Sequence, residues 1–262
     1  GSRRAMNRAT TPICARFDRQ AAHYERLADV QQAIAWRLAH CISHLPLPQG
    51  LCADLGAGSG LVGQALQRQA PAMTLWQIDG SPALLARNPL AERSVLWDLE
   101  QGLPADLQQC ALLTSSFTLQ WLSQPAARLR QWAAALAPGG WLVLAVPVAG
   151  CFPQWHEAAT RAQVPCTAQP LPSADDLIAA AGELLCIGRA QQLWFSRRFG
   201  DGRTCAAHAF LRHVRELGAG SSSQQPLSTP QWRRLLAHWP NSPLVSWRVL
   251  MLVGQRRAGV EA

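Results

Sequence analysis

The sequence predicts an α/β fold in which a mostly parallel sheet carries helices on both faces. Three observations predict it. From residue 51 onward short apolar runs alternate with helix-length segments, the chain order of a parallel sheet. Those runs are continuously apolar rather than alternating, as in strands covered on both faces. The first of them leads straight into Gly56-Ala57-Gly58-Ser59-Gly60 and then a helical pattern, an arrangement that admits a ligand beside the backbone.

Taken in order, Pro12 to Leu45 reads as helical with a break over Asp18 to Ala28, and Pro46-Leu47-Pro48 stops it. Leu51 to Leu55, Met73 to Ile78, Ser94 to Trp97, Ala111 to Thr114 and Trp141 to Val146 read as the first five strands, with Leu61 to Gln69 and Ala126 to Leu136 among the intervening helices. After Pro147 the rhythm is lost, and prolines 153, 165, 170 and 172 punctuate an irregular insertion over 150–172. Ser173 then caps a helix over Ala174 to Ala181. A strand follows around Glu183 to Phe195, helices over Arg203 to Leu217 and Thr229 to Trp239, and a last strand over Val245 to Gly254. The expected organisation is one domain: 1–6 a cloning scar, 7–49 an N-terminal helical lid, and 50–149 the ligand-binding core. Residues 173–256 give the rest of the sheet with a helical cap at about 200–240, and 257–262 a tail.

With 262 residues, 48% of them apolar and 15% charged, the chain can bury a full core, which excludes a peptide, a tail or a disordered linker. Stretches such as Trp141 to Val148 fall far short of the roughly 20 residues a bilayer-spanning helix needs, so a soluble, cytoplasmic protein with no membrane contact is expected. The eight cysteines form no CxxC pair, so neither a metal site nor a disulfide framework is implied. The formal charge of +8 comes wholly from arginine, since lysine is missing. Base-composition bias accounts for the missing lysine, while the net sign favours an acidic partner. The basic residues are scattered without interleaved aromatics, which speaks against nucleic acid. The eleven tryptophans read as packing.

The glycine loop has the spacing GxGxG, with Leu61 where a dinucleotide-binding loop has its third glycine, and Asp54 two places before the first. A carboxylate aimed into a pyrophosphate site would repel the ligand; it would welcome an ammonium group. Asp79 ends the second strand, where a carboxylate can accept both hydroxyls of a ribose, and Asp98 ends the third.

In Asp54-Leu-Gly56-Ala-Gly58-Ser-Gly60 the sequence resembles the class I S-adenosylmethionine-dependent methyltransferases. That resemblance implies a Rossmann-like fold with a seven-stranded, mostly parallel sheet, a loop passing under the methionyl part of the cofactor, Asp54 on its amino group and Asp98 on its adenine amine. It assigns Gln31, Ala57, Gly80, Leu99 and Ser115 to the same site and calls for no metal. Leu113-Thr114-Ser115-Ser116-Phe117 lacks the Pro-Pro sequence of enzymes that methylate base or amide nitrogens, which points to an acceptor already nucleophilic at neutral pH.

A more particular resemblance covers nearly the whole chain. Phe17-Asp18-Arg19-Gln20-Ala21-Ala22-His23-Tyr24-Glu25, Ala28 to Gln31, Leu119-Gln120-Trp121, Leu193-Trp194-Phe195, Leu211 to Ala219 and Pro243-Leu244 are similar to the malonyl-acyl-carrier-protein O-methyltransferases of biotin synthesis. Ser246-Trp247 departs from the tyrosine-containing strand start of that family. The resemblance implies methylation of the free malonyl carboxylate, with Tyr24 on the lid above the methionyl group. Arg212 or Arg215, at i and i+3 on one helix, would meet the carboxylate through a guanidinium fork. An acidic carrier protein would dock on Arg197-Arg198, Arg203, Arg233-Arg234 and the helix bearing Arg212; oligomeric state is unreadable. Competing readings are a methyltransferase for another small carboxylate or a quinone precursor, and a non-catalytic cofactor-binding or RNA-binding module.

Overall fold

The computed structural model describes residues 29–200, 203–216 and 225–259. Seven strands form one sheet: β1 (Cys52–Leu55), β2 (Trp76–Asp79), β3 (Ser94–Leu96), β4 (Cys110–Ser116), β5 (Leu136–Pro147), β6 (Leu185–Arg198) and β7 (Leu244–Arg256). The helices are α1 (Asp29–Ser43), α2 (Leu61–Gln69), α3 (Pro82–Ala86), α4 (Pro125–Ala134), α5 (Pro153–Ala162), α6 (Ala174–Gly182), α7 (Arg203–Glu216) and α8 (Thr229–Ala237). Strand order is β3-β2-β1-β4-β5-β7-β6. The first five strands run parallel, and β7 is antiparallel to both β5 and β6. The order reverses between β1 and β4, and in open α/β sheets ligands bind beyond the carboxyl ends of the strands at such a point.

The central strands are apolar throughout because both faces are covered. Along β5, Leu142, Leu144 and Val146 enter one core with Leu129 and Trp132 of α4 and Leu177 of α6. The alternate residues Val143 and Ala145 enter the other, with Ile34 and Leu38 of α1, Val62 and Leu66 of α2, Trp155 of α5 and Phe210 of α7. One strand therefore feeds two layers through its two-residue period.

Two expectations fail here for physical reasons. The insertion expected to be irregular contains α5. Pro153 sits at its first turn, where its missing N–H would be unpaired anyway, and Trp155, Ala158, Ala159 and Ala162 are buried at helical spacing. β5 also begins earlier than expected, at Leu136. Pro138-Gly139-Gly140 resembles a turn, but the register shifts between Cys110 and Leu112, so the extra residues are absorbed as a bulge. Elsewhere Ser173 caps α6 as expected, its hydroxyl accepting from the N–H of Asp176.

The late helices pack over one face through aromatic rings. Phe210 of α7 stands 5.2 Å from Phe152, 5.7 Å from Trp155, 5.4 Å from Phe199 and 5.9 Å from Trp239, centroid to centroid. Edge and tilted contacts at these separations suit the ring quadrupoles. The cap is thereby fixed to α5 and to the start of β7, where Trp247 is also buried.

Candidate active site

β1 ends at Leu55, and the chain turns through three glycines with φ of +79° at Gly56, +54° at Gly58 and +89° at Gly60. At Gly60 a side chain would strike Asn88, whose Oδ1 would lie 2.5 Å from an added Cβ. The turn is tied to its neighbours by backbone groups: the N–H groups of Gly56 and Ala57 donate to the Ile78 carbonyl at 2.8 and 2.9 Å. The Gly58 N–H donates to Asp79 Oδ2 at 2.8 Å.

Asn88 Nδ2 donates to the Gly58 carbonyl at 3.2 Å and to Gln77 Oε1 at 2.9 Å, while its Oδ1 accepts from the Leu90 N–H at 2.9 Å. Sequence reasoning missed this support, because the two side chains meet only through the fold. Replacing Asn88 with alanine strands buried partners at about 1–3 kcal/mol each. Asn88→Ala is expected to destabilise the protein by roughly 2–4 kcal/mol in urea titration and to weaken S-adenosylhomocysteine binding in parallel.

Asp54 is 1% exposed, and neither of its carboxyl oxygens has a hydrogen-bond partner. Burial, and then the neighbouring Asp79 carboxyl, push its pKa up to about 8. Asp79 is raised to about 6 by burial, opposed by the backbone N–H groups of Ser81, Gly58 and Gly80. Its oxygens accept from Gly58 and Ser81, each at 2.8 Å. Each carboxylate oxygen has a second lone pair, so acceptor capacity remains.

A cavity of about 350 Å³ including its mouth gathers Asp54, Gly56, Ala57, Gly58, Ser59, Leu61, Val62, Ser116 and Gln31. An orphaned carboxyl in such a cradle fits a ligand that brings a cation, as the aminoacyl end of S-adenosylmethionine does. Asp79 and Gly80 lie beside the cradle rather than in its wall. β3 is shorter than expected, so Asp98 stands beyond the strand and caps the turn Leu99–Gln101, its Oδ1 accepting from the Glu100 N–H at 3.0 Å. Leu99 belongs to the apolar core. Ser115 Oγ donates to the Leu55 carbonyl at 2.7 Å; its neighbour Ser116 is the one that lines the cavity.

A second cavity, of about 630 Å³ including its mouth, adjoins the first through Gln31, which lines both, and through consecutive Ser116 and Phe117. Its walls are largely aromatic and aliphatic: Phe117, Trp121, Pro147, Phe152, Trp155, Leu171, Val214 and Trp247, with Gln120, Gln169 and His213 as polar members. Phe117 and Phe152 hold left-handed backbone, φ +54° and +56°, a strained state for bulky residues that concentrates at functional sites.

The structure does not bring Arg212 to this cavity: its side chain is exposed, while adjacent His213 and Val214 face inward. The signal was present, since Ala206, Ala207, Phe210, His213 and Val214 are buried at helical spacing and leave Arg212 on the outer side. Tyr24 lies outside the described residues, as does the side chain of Arg215. Arg197, expected on a docking face, is turned inward against His213, with Nη1 3.3 and 3.4 Å from the two ring nitrogens. Burial, then the Arg197 charge, lower the His213 pKa to about 4, so the ring is neutral at pH 7. Among the described residues no three His, Cys, Asp or Glu side chains gather as a metal site requires, and no helix is long and apolar enough to cross a membrane.

The family model of a methyltransferase domain matches residues 30–183. The malonyl-[acyl-carrier protein] O-methyltransferase of Magnetococcus marinus is 28% identical over 236 residues, covering 83% of this chain and 81% of that protein. The protein of the same name from Alcanivorax borkumensis is 33% identical over 174 residues, covering 63% of this chain and 58% of that one. Among solved structures, that of a putative methyltransferase from Bacillus halodurans superposes with a TM-score of 0.57 at 12% identity, covering 85% of this chain and 99% of the other, a likeness of fold. With the family model matching more than half of its length and the strand order and glycine cradle described above, the chain belongs to the methyltransferase-domain family and is a class I S-adenosylmethionine-dependent methyltransferase.

Proposed function

We propose that the protein converts the free carboxylate of a malonyl thioester, carried on acyl carrier protein, to its methyl ester in the early, pimeloyl-forming part of biotin synthesis. The observation that carries this reading is the 28% identity over 83% of the chain to a protein of that name. The paired cavities support it: a cradle with one orphaned carboxyl opens onto a largely apolar chamber.

In this reading Asp54 accepts the cofactor ammonium, the backbone of Gly56 to Gly60 lies under the methionyl chain, Asp79 takes the ribose hydroxyls and Asp98 the adenine amine. Gln31, Ala57, Gly80 and Leu99 complete the site, with Ser116 beside Ser115. The resemblance assigns Tyr24, which lies outside the described residues, to a lid above the methionyl group. The bound cofactor supplies a sulfonium methyl group, which a carboxylate oxygen attacks as the carbon–sulfur bonding pair departs to leave a neutral thioether. No general base is needed, because a malonyl carboxylate is ionised at neutral pH. What the chain supplies is placement and dryness. Fixing the acceptor in line can contribute about 7–11 kcal/mol, and the aromatic walls exclude water, which favours cancellation of the two charges. An acidic carrier protein is attracted by the basic charge of +8, and the cytoplasm, where that carrier works, is the expected location.

Transfer of radiolabelled methyl groups tests the reading, with malonyl carrier protein, malonyl-CoA and a quinone precursor offered in parallel. Label is expected on the malonyl thioester, released by mild alkali as a methyl ester should be. Alkali-stable label on the quinone precursor alone would replace this reading with the ring-methylation one.

A further inference from the structure

Leu119-Gln120-Trp121 forms a short helical turn after β4, and it stands where two spaces meet. Gln120, Trp121, Gln169 and Leu171 line the large aromatic cavity and also a groove of about 1200 Å³ including its mouth. The groove continues over Ser123, Ala126, Pro172, Ser173 and Asp176 and shares no residue with the cofactor cradle. Cradle, cavity and groove therefore follow one another, joined first at Gln31 and then at Gln120 and its three neighbours.

Gln120 is 7% exposed, and its hydrogen bonding is incomplete. Its Nε2 donates to the Phe117 carbonyl at 3.0 Å, and its main-chain carbonyl accepts from Gln169 Nε2 at 3.1 Å. Its Oε1 is buried without a partner, a costly state for an amide oxygen. Turning the amide over gives no relief, since Oε1 would then face the Phe117 carbonyl, acceptor against acceptor. The junction is thus short of one donor. Among the residues lining the cavity and the groove, Asp176 alone carries a charge at pH 7, because His213 is neutral. A ligand that brings an uncharged N–H suits these walls, whereas an anion in the groove would be repelled by Asp176.

We infer that the thioester arm of the acceptor leaves the cavity past Gln120 and runs along the groove, and that Gln120 Oε1 accepts a hydrogen bond from the first amide N–H of that arm. The inference rests on the malonyl reading above and deepens it. The ligand class is an acyl group on a neutral, amide-containing arm of the pantetheine type, which carrier protein and CoA both present. With the acyl group beside the cradle, the amide close to the sulfur falls at the junction, and the phosphate at the far end of the arm stays beyond Asp176.

Malonyl thioesters with arms of increasing length test this: the S-methyl thioester, which has no amide, then those of N-acetylcysteamine and pantetheine, and malonyl carrier protein. Gln120→Leu is expected to lower kcat/KM for the N-acetylcysteamine thioester at least fivefold relative to the S-methyl one, a ratio that a general loss of fold would leave alone. Ala126→Trp plugs the groove from α4, and Asp176→Trp plugs it from an exposed position on α6. Each is expected to lower kcat/KM for the pantetheine thioester at least tenfold relative to the N-acetylcysteamine one, and the Kd of S-adenosylhomocysteine, staying within twofold, reports the fold. An unchanged first ratio would leave Gln120 Oε1 to a bound water and overturn the inference, and an unchanged second ratio in a folded plug variant would send the arm out elsewhere and overturn it too. If the wild-type protein methylated none of these thioesters, the malonyl reading would fall and take the inference with it; full wild-type turnover with unaltered ratios removes the inference alone.

Discussion

Asp54→Asn is expected to weaken S-adenosylhomocysteine binding roughly tenfold to a hundredfold at pH 8, and to flatten its dependence on pH below that point. The range follows from a charge-assisted hydrogen bond of about 1.5–3 kcal/mol. The pH dependence follows from counting protons. Free Asp54 keeps its proton up to about pH 8, the ligand's amino group, which sits beside its own carboxylate, keeps its proton to higher pH, and their pair holds a single proton between them. Below pH 8 two protons enter and one leaves on binding, so affinity rises with pH; above it Asp54 is already ionised and affinity levels off. Calorimetry from pH 6 to 9 should therefore show affinity climbing to a plateau above about 8 for the wild type, and a lost acidic limb in the variant. A flat wild-type profile would remove Asp54 from the amino-group site.

The same carboxyl shapes the stability of the ligand-free protein. Its native pKa of about 8 stands above the unfolded value of 3.8. The protonated native state is therefore favoured fully below about pH 4, and that contribution is lost as pH rises towards 8. Asp79, raised to about 6, acts in the same sense over a narrower window. A site built for a cation thus holds the empty protein least firmly at the pH where it binds best, and the ligand offsets the difference by mass action.

What the sequence made legible shares one property: the information is local. The glycine spacing, Asp54 before it, Asp79 at the end of β2 and the cap at Ser173 each depend on a few consecutive residues, and each stands where local reasoning puts it. Local signals mislead when one residue serves two grammars. Pro153 looks like a breaker and is a helix start; Pro138-Gly139-Gly140 looks like a turn and is a bulged strand. Tertiary pairing decides both, and no spacing rule contains it. Arg212 stands on the outer side of α7 because Ala206, Ala207, Phe210, His213 and Val214 face inward, a side that the helix's own spacing makes legible. The meeting of Arg197 with His213 joins an edge strand to a cap helix, and the Asn88 amide reaches both Gln77 of β2 and Gly58 in the loop after β1. Such contacts exist only once the strand order does.

Gly56→Ala is expected to be the most damaging single-methyl change in the cradle, and its cost separates into two parts that can be measured independently. The first is backbone strain: at φ +79° a residue with a Cβ pays about 1–2 kcal/mol. The second is collision, since the new methyl would fall onto the Thr118 side chain, with Cγ2 at 2.6 Å and Cβ at 2.7 Å, and overpacking of this kind costs about 1–3 kcal/mol. The sum, about 2–5 kcal/mol, corresponds to a melting temperature lower by roughly 5–20 °C for a chain of this size. Gly58 provides the control. Its φ of +54° is also left-handed, but the nearest atom to an added Cβ is Leu84 Cδ1 at 3.8 Å, so Gly58→Ala should show the strain part alone. Adding Thr118→Gly to Gly56→Ala should relieve the collision and leave the strain, bringing that variant level with Gly58→Ala once the cost of Thr118→Gly by itself is subtracted. Equal losses in the two single alanine variants would mean that the loop yields at Thr118, and that the close approach of the ends of β1 and β4 is not what holds the cradle in shape.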